Sequence, residues 1–337
     1  MNNDLKCRPL KINNSVMNDS SKERYLGSFL TDDGKITQNI IDRHNKGLAA
    51  ANQIICLLRE AHFGPYYFEM VSLFRNAILL NGMLYSVEAF SGLKSVHIDQ
   101  IEACDRYLLS KAFNAIATTA TEAFYLETGF LPVRFTLLLR RLMFYWTILN
   151  KRESELIKQV YMAQKLAPLK NDWAVQIKDD LKACDINLSE HEIGKMKKST
   201  FKLLIKESVS ELGRKYLSDL KRKHSKSKGL NTNMIMQPYL KSKFMSLHEK
   251  QLLFKLRTYT FGCKANFRNK FKNNLECNDC GLEDTQEHLL HCSIAETDCD
   301  RDVKYDDIFG SVLDQCRIVK VISKICQKRT PVDLKSS

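Results

Sequence analysis

From Thr37 onward apolar residues return every three or four positions, segment after segment, and little in the chain interrupts continuous helix. Ile41, His44, Leu48, Ala51, Ile55 and Leu58 fall on one helical face. After a break at Gly64-Pro65, Val71, Phe74, Ile78 and Leu79 carry a second helix up to Tyr85. Further helices are predicted over about His97 to Phe113, from Thr121 with Glu122, and from Arg134 to Asn150. Only 13 Gly and 6 Pro punctuate 337 residues, whereas an all-β chain needs turn residues every 8 to 12 positions or so. The predicted fold class is therefore mainly α. The exception is the start: Arg24 to Thr31 reads as a strand, and Asp32-Asp33-Gly34 supplies the dipeptide that hairpin turns prefer.

A chain with 44% hydrophobic and 27% charged residues can build a core, which argues against a disordered tail or a fibrous rod. The longest apolar stretch, Leu131 to Leu149, contains Arg134, Arg140 and Arg141, too costly for a membrane span. The N-terminus shows no secretory or transit pattern, so an intracellular location, cytoplasm or nucleus, is expected. The formal charge of +13 implies an anionic partner, nucleic acid before membrane. That charge has one address. Between Lys195 and Lys272 there are 21 Lys and Arg against 4 acids, while the remainder is slightly acidic. Within it, Lys221, Arg222, Lys223, Lys226 and Lys228 form a run that should lose regular structure through like-charge repulsion. Interleaved aromatics, Phe201, Tyr216, Tyr239, Phe244 and Phe254 among them, offer either base stacking on RNA or single-stranded DNA or the core of the helices that carry the lysines. Ser189 and Glu192 fit a capping box at a helix start.

The sharpest local signal is Cys277-x2-Cys280 followed by His288 and Cys292. A Cys-x2-Cys turn lets two thiolates reach one ion, Gly281 permits the tight backbone, and residues 288 and 292 share a face if helical. Four ligands within 16 residues suit a closed tetrahedral Zn2+ site, structural because no position remains for a reacting water. His291 is a rival nitrogen ligand, which next to Cys292 would point away from it on a helix. Cys263 and Cys299 flank the cluster as possible substitutes, whereas Cys7, Cys56, Cys104, Cys184, Cys316 and Cys326 read as buried small hydrophobes. His44 and His97 read as packing residues on helical faces.

Arg24-Tyr25-Leu26-Gly27-Ser28 with Asp33-Gly34, then Leu84-Tyr85-Ser86-Val87-Glu88-Ala89-Phe90, resembles the last palm strand and the following thumb of reverse transcriptases from jockey-like non-LTR retrotransposons of animals. Tyr125 to Arg134 with Arg140-Arg141, the Asn171-Asp172-Trp173 start and Lys250 to Arg257 look like the region after that thumb, and the Cys-Cys-His-Cys cluster matches the family's zinc knuckle in type. The resemblance implies four parts. Residues 1–36 would end the palm with a β-hairpin, 37–165 would form a helical thumb-like bundle, 166–272 a basic helical connector, and 273–337 the zinc knuckle with C-terminal helices. It also implies that Tyr25, Leu26 and Gly27 match the primer grip, which holds the 3′ end of growing DNA, and that RNA, DNA or both are the partners. Family polymerases hold two metal ions on palm carboxylates. Upstream of Tyr25 the only aspartates are Asp4 and Asp19, and neither Asp32-Asp33 nor Tyr305-Asp306-Asp307 fits the required turn. The chain alone is thus expected to be inactive as an RNA-directed DNA polymerase, a truncated copy or a fragment, with Mg2+ relevant only if a palm is supplied. The alternative from another class is a zinc-dependent protein-interaction scaffold.

Overall fold

A computed structural model describes residues 21–32, 34–272, 274–295, 303–329 and 332, with the backbone of 11–12 and 15–16. Two small antiparallel ladders open the chain, β1 (Lys11–Ile12) with β2 (Ser15–Val16) and β3 (Lys22–Tyr25) with β4 (Ser28–Thr31). The rest is helical: α1 (Thr37–Glu60), α2 (Tyr67–Phe74), α3 (Leu80–Met83), α4 (Ser95–Ala112), α5 (Thr121–Thr128), α6 (Val133–Leu149) and α7 (Leu156–Leu166). There follow α8 (Trp173–Ala183), α9 (Glu190–Lys195), α10 (Lys198–Lys223), α11 (Pro238–Lys241), α12 (Leu247–Arg257) and α13 (Val312–Lys328). A π-helical turn at Arg75–Leu79 joins α2 to α3. No helix among the described residues is long and apolar enough to cross a membrane.

The hairpin turn is not where the Asp-Gly signal puts it. Glu23 pairs with Leu30, Arg24 with Phe29 and Tyr25 with Ser28, so the turn is Leu26-Gly27, inside the stretch read as a single strand. Both turn residues take positive φ, 46° and 83°, as a two-residue hairpin turn twisted like its strands requires, and glycine reaches that region without strain. Gly34 also has positive φ but ends the hairpin rather than reversing it, and Asp33 lies outside the described residues.

Two apolar cores form. The larger joins α1 to α5 with α11, α12 and α13, so its residues come from both ends of the chain, Ile40 through Leu137 and Leu217 through Ile325. Along α1 the buried Ile40, Gly47, Ala51, Ile54 and Leu58 keep helical spacing, and at Gly47 a Cβ would stand 2.8 Å from Cys104 Sγ, so α1 and α4 cross in close approach. A row of rings ties α12 in: Phe113 lies 4.0 Å from Phe254 and 4.6 Å from Phe68, with Phe124 5.6 Å from Phe254. The smaller core is local in sequence, Leu142 to Val209, with Tyr145, Tyr161 and Trp173 meeting edge-on or tilted above α10. Helices α6 and α10 serve both cores, because their ends fall in different ones. At α9 the Ser189 hydroxyl accepts the Glu192 N–H while the Glu192 carboxylate accepts the Ser189 N–H at 2.7 Å, the capping box the sequence predicts.

Candidate metal centre and nucleic-acid interface

The local chain around the Cys cluster is a knuckle. Glu276 and Glu283 bridge as antiparallel residues, the Cys277 N–H donates to Leu282 O at 2.6 Å and the Gly281 N–H to Cys277 O at 3.0 Å. Gly281 takes φ 78° to close that turn. His288 then arrives on a 3-10 turn, Glu287–Leu290, where an α-helical face was expected; the tighter turn still carries His288 and Cys292 to the same point. The one ligand atom offered by each of Cys277, Cys280, His288 and Cys292 lies within 4.8 Å of the other three. The sulfurs of Cys277 and Cys292 stand 3.9 Å apart, close to the roughly 3.8 Å edge of a tetrahedron with zinc–sulfur bonds of about 2.3 Å. Cys280 Sγ and His288 Nε2, at 3.0 Å, are hydrogen-bonded partners. Three thiols and an imidazole are the donor set zinc takes, and these four residues could hold one zinc ion.

The two rival ligands fall away for different reasons. His288 is 9% exposed, and burial lowers its pKa, which favours the neutral imidazole that ligates a metal, while His291 faces solvent. Burial pushes the Cys292 thiol up to about 11. For Cys280 burial also acts upward, but hydrogen bonds from Leu282 and the neighbouring thiols outweigh it and leave the pKa below the ordinary value. Cys263 is buried against Arg329 instead, outside the cluster, and Cys299 and Cys7 lie outside the described residues. Of the other cysteines read as buried, Cys104, Cys184 and Cys316 are so, Cys326 is half-buried, and Cys56 is exposed on the outer side of α1.

What fastens the knuckle has no motif signature. Asp284, in the spacer between Cys280 and His288, is fully buried, accepts the Lys264 N–H at 2.8 Å and pairs with Arg329 just beyond α13. Lys264 Nζ returns to Asn274 Oδ1 at 2.9 Å and Glu276 O at 2.6 Å. Gln286 donates to Leu256 O at 3.0 Å, and Leu289 and Leu290 enter the larger core. The centre is thus stitched to α12 and α13. An acid inside a ligand spacer was the readable clue.

At the other end of the chain, the Leu26-Gly27 turn leaves Tyr25 64% and Leu26 75% exposed. Behind them the backbone is clamped. Asn39 bonds both the N–H and the C=O of Phe29 at 2.7 Å, and the buried Arg43 donates to Gly27 O at 2.7 Å and Ser28 Oγ at 3.2 Å. Arg43 also lies over the Tyr85 ring, whose edge would be 3.3 Å from a Cβ at position 27.

The basic run is more ordered than like-charge repulsion suggests. Lys221, Arg222 and Lys223 occupy the last turn of α10, where cations are favoured by the helix dipole, and Lys221 donates to Leu230 O while Arg222 pairs with Asp219. The buried Glu122 then fixes the following turn, accepting from Ser227 Oγ at 2.6 Å and meeting His224 Nδ1 at 2.7 Å. Lys226 donates to Asn266 O at 2.9 Å over the Phe267 ring, and Lys223 and Lys228 remain exposed. Most interleaved aromatics are packing residues: Phe201, Tyr239 and Phe254 are fully buried, and Phe244 alone of the five named is widely exposed. His44 Nδ1 donates to Gln100 O, 2.8 Å away, as a packing histidine would. No family model, curated protein or solved structure matches the chain.

Proposed function

We propose that this chain binds nucleic acid as the C-terminal portion of a non-LTR retrotransposon reverse transcriptase, with a structural zinc in the Cys277, Cys280, His288 and Cys292 site. The observation that carries the reading is the hairpin tip. Its backbone is held by Arg43 and Asn39 while Tyr25 and Leu26 project, the arrangement a grip on a primer end would use. The exposed cations Lys223 and Lys228 on an ordered turn are a second support, since fixed cations neutralise phosphates with little ordering cost. Zinc would contribute binding free energy to folding of the knuckle, and no open ligand position is left for chemistry. This chain alone is not expected to extend a primer.

Binding to an RNA and to a single-stranded DNA oligonucleotide, followed by fluorescence anisotropy across salt, tests this. Affinity should fall steeply between about 50 and 200 mM salt, and charge reversal at Lys221, Lys223, Lys226 and Lys228 should flatten the slope. Absence of binding at low salt would instead favour a zinc-dependent protein-interaction scaffold. One observation supports that second reading: Leu156, Val160 and Leu166 on α7, with Leu169 after it, leave apolar surface exposed.

A further inference from the structure

We propose that a groove between the helical bundle and α12, separate from the Lys221–Lys228 turn, holds an unpaired nucleic-acid strand; this rests on the nucleic-acid reading above. Two cavities of about 440 and 190 Å³ adjoin, with Asn114 and Gln251 in the walls of both. Arg59, Lys111 and Lys255 supply cations along this path, and the half-buried Phe63 and Phe261 supply rings, with Tyr67 buried behind them. Among the described residues no Asp or Glu lines either part. In a chain with 39 acids, a groove lined by three cations and no carboxylate favours an anionic ligand.

Lys255 makes the point most sharply. It is half-buried in the groove wall, burial lowers its pKa with no acidic neighbour acting against that, and no carboxylate pairs with it among the described residues. A cation withdrawn from water without a counter-ion is costly, and an anionic ligand in the groove removes that cost. The floor is rigid. Gln251 donates to Ala112 O at 2.8 Å, linking α12 to the end of α4, and the stacked Phe113 and Phe254 lie beneath. The chain leaves α4 through Asn114 at φ 47°, and Asn114 lines both cavities.

The chemistry selects the ligand class. Phosphates meet the cations, and unpaired bases have faces to lay on the rings; an acidic peptide would satisfy only the first. The groove also leads toward the basic turn, because Asn266 donates to Phe261 O at 2.8 Å and accepts Lys226 Nζ at 2.9 Å.

The test uses the full chain and a 4-thiouridine RNA of about 12 nucleotides, within the usual span of single-strand sites. Photo-cross-links are expected on the peptides holding Phe63 and Tyr67 and on that holding Phe261. Lys111 is exposed, so Lys111→Glu should fold normally; it should weaken binding about tenfold and lower the salt slope by about 1, while Lys111→Arg keeps both. Cross-links confined to residues 221–228 with unchanged Lys111→Glu affinity would overturn the groove and leave the wider nucleic-acid reading standing. No binding of any oligonucleotide would overturn both, and displacement of the RNA by polyglutamate at equal charge would overturn the assignment to a base-bearing strand.

Discussion

The larger core and the smaller one handle buried charge differently. In the larger, Asp105 and Glu127 each meet a guanidinium fork: Arg75 bonds Asp105 twice, at 2.7 and 2.8 Å, and Arg257 bonds Glu127 at 3.0 and 3.1 Å while also reaching Ile308 O at 2.7 Å; Glu122 is instead held by Ser227 and His224, with Oε2 left without a partner. At the metal centre Arg329 pairs with Asp284 through one nitrogen and gives the other to Cys263 Sγ. In the smaller core Arg141 and Asp180 approach to 2.9 Å, yet Asp180 Oδ2 and Arg141 Nε lack hydrogen-bond partners. Burial pushes the Asp180 carboxyl up to about 6 in spite of Arg141. Arg257 joins Glu127 across 130 residues, whereas the smaller core is built within Leu142 to Val209 and carries an imperfect pair, so the smaller core should open first.

Substitution and pH both test this contrast. Arg257→Met strands Glu127 in the larger core and should cost about 3–5 kcal/mol, seen as a lower urea midpoint for the whole chain. A change that left the midpoint in place would show that the pair is dispensable. The pH dependence should be opposite to the usual one for an acid. Because the folded pKa of Asp180 lies above its unfolded value, the stability it contributes is present below about pH 4 and is lost as pH rises through about 6, by at most about 3 kcal/mol. Hydrogen-exchange protection in α8, taken relative to the intrinsic exchange rate at each pH, should therefore fall between those pH values, and Asp180→Asn should abolish the trend. Gly47→Ala places a Cβ 2.8 Å from Cys104 Sγ and should cost about 1–2 kcal/mol net of its helix propensity, measured by thermal melting. Ser189→Ala removes a cap in the smaller core and should cost about 1 kcal/mol, faster exchange being confined to α9 and its neighbours.

Much of this was legible from local patterns. Helical spacing announced α1, α4, α5 and α6, and the ligand spacing announced the Cys3His cluster, because both signals are completed within a few turns of chain. The hairpin turn was misplaced by the Asp-Gly rule. Leu at the first turn position is a poor choice by propensity, and the clamp from Asn39, Arg43 and Tyr85 behind the turn overrides it. The interleaving of the two ends of the chain in one core had no local signal at all, since Arg257 finds Glu127 across 130 residues. The groove was hidden for the same reason: Arg59, Lys111 and Lys255 become neighbours only once α12 crosses the end of α4.

Metal content of the purified chain bears most directly on the claim that Cys277, Cys280, His288 and Cys292 hold a structural zinc. Wild type should hold about one equivalent of zinc and Cys280→Ser close to none, with α13 amides losing hydrogen-exchange protection in the variant. Equal metal in the two proteins, or none in either, would contradict it.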